Sequence, residues 1–287
     1  MVLRYLLFLL LFVPQLGNHT VVQSDDRDRI GHNASDVYYE ELSRGRTRET
    51  VVRANGVQVV TIRDRYGDVI RRSRIMPDGR EYVLVYAGDE PRREERHSWR
   101  DPGLDLPPLH LSIPAQDYVF DAGQSSDPRA YYEFLEQPPV EPVTRLYSVD
   151  DVRYSARVRD TVRRIDLDTI TFDFGSATIA EDAINRLDGL ANAIGRLLED
   201  NPAETFLIEG HTDAVGSDLA NLALSDRRAE AVAAALTNVF DIPPENLVTQ
   251  GYGERYLKVN TQEPDRENRR VAVRRITPLV APVASRQ

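Results

Sequence analysis

The second half of the chain alternates between strand-like and helix-like segments, and this order constrains the fold more than any other sequence feature. From Ile165 the pattern reads strand, helix, strand, helix, strand, strand, which indicates a two-layer α/β unit. Ile170, Phe172 and Phe174 alternate as in a strand with one buried face, and the next segment carries one apolar stripe at helical spacing. We therefore predict a folded C-terminal domain over residues 165–277.

A polar turn, GHTD at residues 210–213, follows the most apolar strand of this predicted domain. The run Phe206–Ile208 is continuously apolar, as expected of a strand buried on both faces, and it delivers the turn to the edge of the sheet. A second helix follows and buries residues at helical spacing, so Arg228 points toward the strand-end loop or toward solvent. This layout permits Asp213 and Arg228 to meet at one rim of the sheet.

Asp213 and Arg228 supply the two groups that hold a zwitterionic amino acid. A carboxylate accepts hydrogen bonds from an ammonium group, and the planar guanidinium pairs with a carboxylate through two parallel hydrogen bonds. Two other interpretations stay open at this stage. Asp213 can order the turn through an Asx-type hydrogen bond, and Arg228 can pair with Asp226 or Glu230 on its own helix.

Four short motifs together resemble the OmpA-like peptidoglycan-binding domain, and the resemblance covers about residues 166–276. The motifs are GHTD at 210–213, NLALSDRRA at 221–229, GYGE at 251–254 and NRRV at 268–271. The resemblance implies an α/β fold of the α+β two-layer type, in which a mixed sheet carries helices on one face. It also implies a non-catalytic periplasmic protein that binds peptidoglycan in a Gram-negative envelope, needs no cofactor and is associated with the cell wall or the outer membrane.

The resemblance assigns a role to each candidate residue. Asp213 receives the ammonium group of the diaminopimelate in the peptidoglycan stem peptide, and Arg228 binds the carboxylate of the same centre. Thr212 and Asn221 lie beside this ligand or order its loop. One arginine of the NRRV motif faces the ligand, and we favour Arg270 over its neighbour Arg269.

The loop FDFGSATI, at residues 172–179, borders the same pocket in the resembling family. An acidic residue often precedes its serine there, whereas this chain has Gly175. Asp173 or backbone amides must then supply the contact. His211, in the GHTD turn, has no second metal-binding side chain at ligand spacing, so we interpret it as a structural residue that holds the loop.

The first 164 residues divide into segments by composition. Residues 1–17 combine Arg4 with a short apolar stretch, which predicts an export signal that is either cleaved or kept as an anchor. The other predicted segments are a flexible leader at 18–47, a β-rich meander at 48–122, a linker with short helices at 123–164 and, after the C-terminal domain, a tail at 278–287.

The small, mostly-β meander is predicted from turn signals between β-rich runs. The turns are Asn55-Gly56, Tyr66-Gly67 and Asp78-Gly79, and the runs are Val57–Ile62, Val69–Ile75 and Tyr82–Tyr86. Five arginines are interpreted as solvated side chains on the outer face, with a surface for an anionic partner as the alternative: Arg63, Arg65, Arg71, Arg72 and Arg74. Recruitment of another envelope protein by this meander is a further hypothesis.

Composition narrows the function classes. The net charge of −10 argues against nucleic acid as a partner, because the protein and the nucleic acid would both be negatively charged and would repel each other. The chain has no Cys, so it has no thiol nucleophile, no disulfide and no Cys-ligated zinc. A peptidoglycan hydrolase is the alternative to a binding protein, but the sequence presents no catalytic constellation and no metal site that would favour it.

Overall fold

The computed structural model describes residues 15–16, 19–20, 26–65, 67–86, 99–170, 172–173 and 175–280. The predicted export signal lies outside these residues except for the short strand Gln15–Leu16, and the tail lies outside them beyond residue 280. Over the described residues, no helix is both long enough and apolar enough to cross a membrane.

The N-terminal region forms a five-stranded antiparallel meander. Strand β1 (Gln15–Leu16) pairs with β2 (His19–Thr20) ahead of it, and the short helix α1 (Arg27–Ile30) leads into the sheet. The sheet strands follow in chain order and are β3 (Ala34–Leu42), β4 (Arg46–Arg53), β5 (Gln58–Arg63), β6 (Val69–Ile75) and β7 (Glu81–Tyr86). Gly56, Gly67 and Gly79 have positive φ angles of 80°, 92° and 87°, which confirms the three predicted turns.

The flexible leader predicted for residues 18–47 was wrong over its second half. Residues 34–42 form β3, which pairs antiparallel with β4 along its length. The sequence looked polar because β3 is exposed on both faces, yet Val37, Tyr38 and Tyr39 favour an extended backbone. Cross-strand pairing also contributes, since Arg48 donates to Glu40 at 2.8 Å.

The solvated-face interpretation was wrong for three of the five meander arginines. Arg63, Arg72 and Arg74 are only 8 %, 2 % and 7 % exposed, whereas Arg71 stays partly exposed. Asp26 accepts from Arg63 at 3.0 Å and from Arg72 at 2.7 Å. Partial burial raises the pKa of the Asp26 carboxyl, but the charges of Arg72 and Arg63 outweigh this effect and hold the pKa below its usual value. The arginines therefore form a charged interior under the sheet.

The C-terminal region is a mixed five-stranded sheet with helices, as predicted. Its elements are α2 (Ala115–Tyr118), β8 (Val119–Asp121), α3 (Pro128–Glu136), α4 (Val149–Tyr154), α5 (Ala156–Arg159), β9 (Arg164–Asp166), α6 (Glu181–Ile184), α7 (Asp188–Asp200), β10 (Phe206–Gly210), α8 (Asp218–Phe240), β11 (Leu247–Gly251), β12 (Val271–Arg275) and α9 (Thr277–Val280). The strand order is β11-β10-β12-β9-β8. The β10–β11 and β8–β9 pairs are parallel, and β12 is antiparallel to both of its neighbours.

Two details of this sheet differ from the sequence prediction. The first strand ends at Asp166, and Ile170 and Phe172 enter the core from a loop, because the Ile170 amide turns back to the Leu167 carbonyl. Strand β8, which the sequence placed in the N-terminal unit, pairs with β9 instead. Alternating apolar residues indicate that every second side chain is buried. A short loop that packs against a core can show this pattern as well as a strand can.

Both faces of the C-terminal sheet are covered. Helices α7 and α8 pack on one face through residues such as Leu190, Ile194 and Val232. A second apolar cluster covers the other face, where Leu207 and Val248 meet residues of α4, α5, α9 and β7. The Thr205 hydroxyl also donates to the carbonyl of Leu84 in β7 at 3.1 Å. The N-terminal sheet therefore packs directly on the C-terminal domain.

Candidate functional site

Close backbone packing fixes α8 against the ends of β10 and β11. A Cβ atom at Gly210 would overlap the carbonyl oxygen of Ser225, and a Cβ atom at Gly251 would overlap the backbone of Asp226. The Ser225 hydroxyl also accepts from the Gly253 amide at 2.8 Å. These glycines let the helix approach the strand ends, so the next turn of α8 carries Arg228 under the GHTD loop.

Asp213 lies buried at this rim, with 3 % of its surface exposed. Its Oδ2 atom accepts a hydrogen bond from Nη1 of Arg269 at 2.7 Å. Its Oδ1 atom accepts from the Val215 amide at 3.4 Å, which is the Asx-type contact considered from the sequence. Asp213 thus orders its turn through one oxygen and holds a cation through the other.

Arg228 is fully buried and binds backbone carbonyls. Its Nε, Nη1 and Nη2 atoms donate to the carbonyls of Ser176, His211 and Asp173 at 2.9, 3.5 and 3.3 Å. The alternative pairing with Glu230 is not made, because that carboxylate binds Arg29 at 2.7 Å and the Thr249 hydroxyl at 3.1 Å. Arg228 is therefore a cation that carbonyl dipoles hold in place.

The pKa of Arg228 reflects its burial and its charged neighbours. Burial is the largest effect and lowers its pKa to about 10, and the positive charge of Arg269 lowers it further. The negative charge of Asp213 acts in the opposite direction. The hydrogen bond from Arg228 to the carbonyl of His211, two residues before Asp213, places both predicted residues at the same loop. Arg228 stays protonated at neutral pH, so the rim combines two arginines with one carboxylate.

Gly175 shapes the loop that receives Arg228. Its φ angle is +70°, and the Ser176 amide donates to the Asp173 carbonyl at 3.0 Å, which makes a tight turn. The turn presents the carbonyls of Asp173 and Ser176 to the guanidinium of Arg228. Asp173 thus contributes through its backbone while its side chain stays exposed, and the missing acidic residue is replaced by a left-handed glycine.

Thr212 and Asn221 lie at the same rim. The Thr212 amide donates to the Gly253 carbonyl at 3.0 Å, and its buried hydroxyl has no hydrogen-bond partner among the described residues. The Asn221 side chain donates to Oε2 of Glu254 at 2.6 Å. Asn221 therefore ties α8 to the GYGE turn, and the Thr212 hydroxyl retains its hydrogen-bonding capacity.

The preference for Arg270 over Arg269 does not agree with the geometry. Arg269 contacts Asp213, whereas Nη2 of Arg270 donates to the Tyr256 carbonyl at 3.0 Å. Burial lowers the pKa of Arg270, and the charges of Asp166 and Glu209 counteract this effect. Because Val271 enters the helix-side core, strand alternation turns Arg270 toward the opposite face.

His211 belongs to a buried network beneath the rim. Burial, followed by the charge of Arg270, lowers its pKa to about 3, so the imidazole is neutral at physiological pH. Its ring stacks on Tyr252 at 5.6 Å between centroids. Glu209 in turn pairs with Arg274 at 2.7 Å and lies 3.3 Å from Nε of Arg159. This environment agrees with the structural role predicted for His211, and no group of metal-binding side chains occurs in the described part of the chain.

The fold and the rim define a small α+β domain with an acid–arginine cluster at the edge of a mixed sheet. Residues 171–270 match the model of the OmpA family, so the chain carries an OmpA-like domain. Outer membrane porin F of Pseudomonas aeruginosa is 32 % identical over 143 residues, which cover 50 % of this chain and 38 % of that protein. Outer membrane protein A of Bordetella avium is 33 % identical over 104 residues, 36 % of this chain and 51 % of that one.

Solved structures are also similar to this chain. The peptidoglycan-associated lipoprotein from Burkholderia pseudomallei is 27 % identical and aligns with a TM-score of 0.31 over 36 % of this chain and 84 % of that one. The similarity to porin F and to outer membrane protein A covers about two fifths and about half of their lengths.

Proposed function

We propose that the C-terminal domain is a non-catalytic module that binds peptidoglycan by holding the diaminopimelate of its stem peptides. The observation that carries this proposal is the convergence of Arg228 and Arg269 on the GHTD loop, where Arg228 binds the carbonyl of His211 and Arg269 binds the carboxylate of Asp213. The OmpA family match and the motif resemblance support it. The relatives named as outer membrane proteins support a place in the cell envelope, and a periplasmic location at the cell wall is part of the proposal.

The proposed binding mode follows from the charges at the rim. The carboxylate of Asp213 accepts hydrogen bonds from the ligand's ammonium group, and the guanidinium of Arg228 has N–H groups beyond the three that bind carbonyls. Charge-assisted hydrogen bonds contribute about 1.5–3 kcal/mol each, so one stem peptide binds weakly, near the millimolar level. The dense repetition of stems in the wall then provides retention through rebinding.

Co-sedimentation of the full chain with purified diaminopimelate-type sacculi tests this function. We expect Asp213→Ala and Arg228→Lys to reduce the sedimented fraction, because the first removes the ammonium acceptor and the second keeps the charge but loses the planar fork. Arg227→Lys is the matched control, since Arg227 is the exposed neighbour of Arg228. Equal sedimentation of all variants would contradict the site, and release of soluble muropeptides would favour a hydrolase.

A second function, recruitment of another envelope protein, is supported by the outer edge of the N-terminal sheet. Strand β3 is the edge strand, and among the described strands only β4 pairs with it. Tyr38 and Tyr39 are 59 % and 69 % exposed, and the strand also carries Asp36 and Glu40. An edge strand presents unpaired backbone groups, so a basic, extended segment of a partner fits this edge best.

A peptide titration tests this second function. A nine-residue peptide with alternating Lys and Val should slow hydrogen exchange of the β3 amides, whereas a peptide with alternating Glu and Val should not, because it repels the acidic edge. Equal protection by both peptides, or protection by neither at millimolar concentration, would contradict this role for β3.

A further inference from the structure

We propose that Arg269 gives this site its selectivity for ligands that carry an ammonium group and a carboxylate on the same carbon, over ligands that carry the ammonium alone. The inference rests on the proposed function and concerns how the site chooses among stem peptides. It starts from the ion pair between Arg269 and Asp213.

Arg269 occupies the position that the ligand's ammonium group needs. Its Nη1 atom lies 2.7 Å from Oδ2 of Asp213, and Oδ1 of Asp213 is already bonded to the Val215 amide. The Asp213 side chain is 4 % exposed and that of Arg269 is 21 % exposed, so Arg269 is the outer member of the pair. An ammonium group that binds Oδ2 of Asp213 from the outer side therefore displaces Arg269.

The displacement is unfavourable when the ligand brings a positive charge and nothing else. Three cations, Arg228, Arg269 and the ammonium group, would then surround one carboxylate. The two arginines already act on each other, since the charge of Arg269 lowers the pKa of Arg228. The guanidinium of Arg269 would also lose its carboxylate partner at a site that is partly shielded from water.

A carboxylate on the same carbon of the ligand removes this penalty. It lies next to the ammonium group, where the displaced Arg269 can bind it, and the buried Nε of Arg269 has no hydrogen-bond partner among the described residues. Binding then exchanges one ion pair for two, ammonium with Asp213 and carboxylate with Arg269. Arg228 stays held by the carbonyls of Ser176, His211 and Asp173 and offers its remaining N–H groups to the same ligand carboxylate, so Arg269 is a second cationic partner of that carboxylate.

The two common stem-peptide types differ in this one group. Diaminopimelate ends its side chain with an amine and a carboxylate on one carbon, whereas lysine at the same position ends with the amine only. The lysine peptide would leave the displaced Arg269 without a carboxylate partner, which weakens its binding. Arg269 therefore makes the site discriminate between the two stem peptides. Arg269 is a specificity-determining residue in this scheme.

Calorimetric titration of the full chain with two tripeptides tests the proposal. The probes are L-Ala-γ-D-Glu-diaminopimelate and L-Ala-γ-D-Glu-L-Lys. We expect the wild type to prefer the first by about tenfold or more, because one additional charge-assisted ion pair forms. Arg269→Gln should bind the lysine peptide several-fold more tightly than the wild type does and should lose part of the preference, because Arg228 still binds the ligand carboxylate.

Matched variants separate selectivity from folding. Arg269→Lys keeps the charge and should retain part of the preference, and Arg266→Gln removes an exposed arginine nearby and should leave it unchanged. A variant that weakens both peptides equally, or leaves the preference intact, overturns the role of Arg269 while the binding function stands. Failure of the wild type to bind either peptide overturns the proposed function and this inference together.

Discussion

The two sheets of this protein differ in what lies beneath them. The C-terminal sheet packs an extensive apolar cluster between its strands and helices α7 and α8. Under the described part of the N-terminal sheet, a small apolar cluster contains Ile30, Val51 and Val59, and Leu84 and Val85 of β7 join the second cluster of the C-terminal domain. Buried arginines lie on the same sheet. The C-terminal sheet is therefore held mainly by hydrophobic burial, whereas the N-terminal sheet combines less apolar burial with buried ion pairs.

This difference makes the stability of the two regions unequal. Arg53 and Arg74 of the N-terminal sheet both bind Glu245, which precedes β11, at 3.2 and 2.8 Å. Arg29 binds Glu230 of α8 at 2.7 Å. The carboxylates that neutralise Arg29, Arg53 and Arg74 thus belong to the C-terminal domain, whereas Arg63 and Arg72 pair with Asp26 of the N-terminal region. We infer that the N-terminal sheet depends on the C-terminal domain more than the reverse.

The largest expected effect comes from Glu245→Ala. Glu245 is 1 % exposed, and its loss leaves the buried Arg74 and the partly buried Arg53 without their carboxylate. Breaking a buried pair in this way costs about 3–5 kcal/mol. Hydrogen exchange should show β4 to β7 opening while β10 and β12 stay protected, and equal loss of protection in both sheets would contradict the proposed asymmetry.

A cavity in the C-terminal core should destabilise both sheets, unlike the loss of Glu245. Leu190→Ala in α7 creates a cavity in the C-terminal core and should cost about 2–5 kcal/mol. Because the N-terminal sheet depends on that domain, protection should fall in both sheets. The matched variant Val59→Ala should lower protection in the N-terminal sheet alone, and a global loss in this variant would contradict the comparison.

Acid should destabilise the C-terminal domain through His211. The unfolded imidazole has a pKa near 6.5 and the folded one about 3, so between these values the unfolded state binds more protons. Stability should therefore fall as pH decreases below 6.5, by up to about 1.4 kcal/mol per pH unit. Urea unfolding at pH 7 and pH 5 measures this, and His211→Asn should lose less stability than the wild type over the same interval.

The smallest effect is expected for Arg48→Ala at the outer edge of the N-terminal sheet. Arg48 and Glu40 pair at 2.8 Å, but their side chains are 42 % and 57 % exposed. Exposed pairs of this kind contribute about 0–1 kcal/mol because water and salt screen them. Urea unfolding measures the free energy of unfolding of this variant. A decrease as large as that of Glu245→Ala would show that exposure does not distinguish the Arg48–Glu40 pair from the buried pairs of Glu245.

The same contrast explains what the sequence could predict. The turns of the meander, strands β5 to β7 and helices α7 and α8 follow from local signals, namely glycine positions and apolar periodicity. Strand β3 was missed because both of its faces are exposed, so it carries no alternation. Arg72 and Arg74 were assigned to solvent because their partners, Asp26 and Glu245, are distant in sequence.

Within the candidate site, sequence order could locate the loop but not its internal pairing. The GHTD motif and the position of Arg228 on α8 indicated only that Asp213 and Arg228 could meet at one rim of the sheet. The choice between Arg269 and Arg270 depended on strand phase, and Val271 in the core was the signal that could have decided it. The three carbonyl acceptors of Arg228 could not be read from side-chain types.

An NMR titration of the full chain with the diaminopimelate tripeptide tests the central claim most directly. We predict amide shift changes in the loop Gly210–Gly216, at Ser176 and at Arg269, with little change in β3 to β7. The same titration of Asp213→Ala should show these changes only at much higher peptide concentration. Saturable changes confined to the N-terminal sheet, or changes at the rim that Asp213→Ala leaves unaltered, would contradict the account.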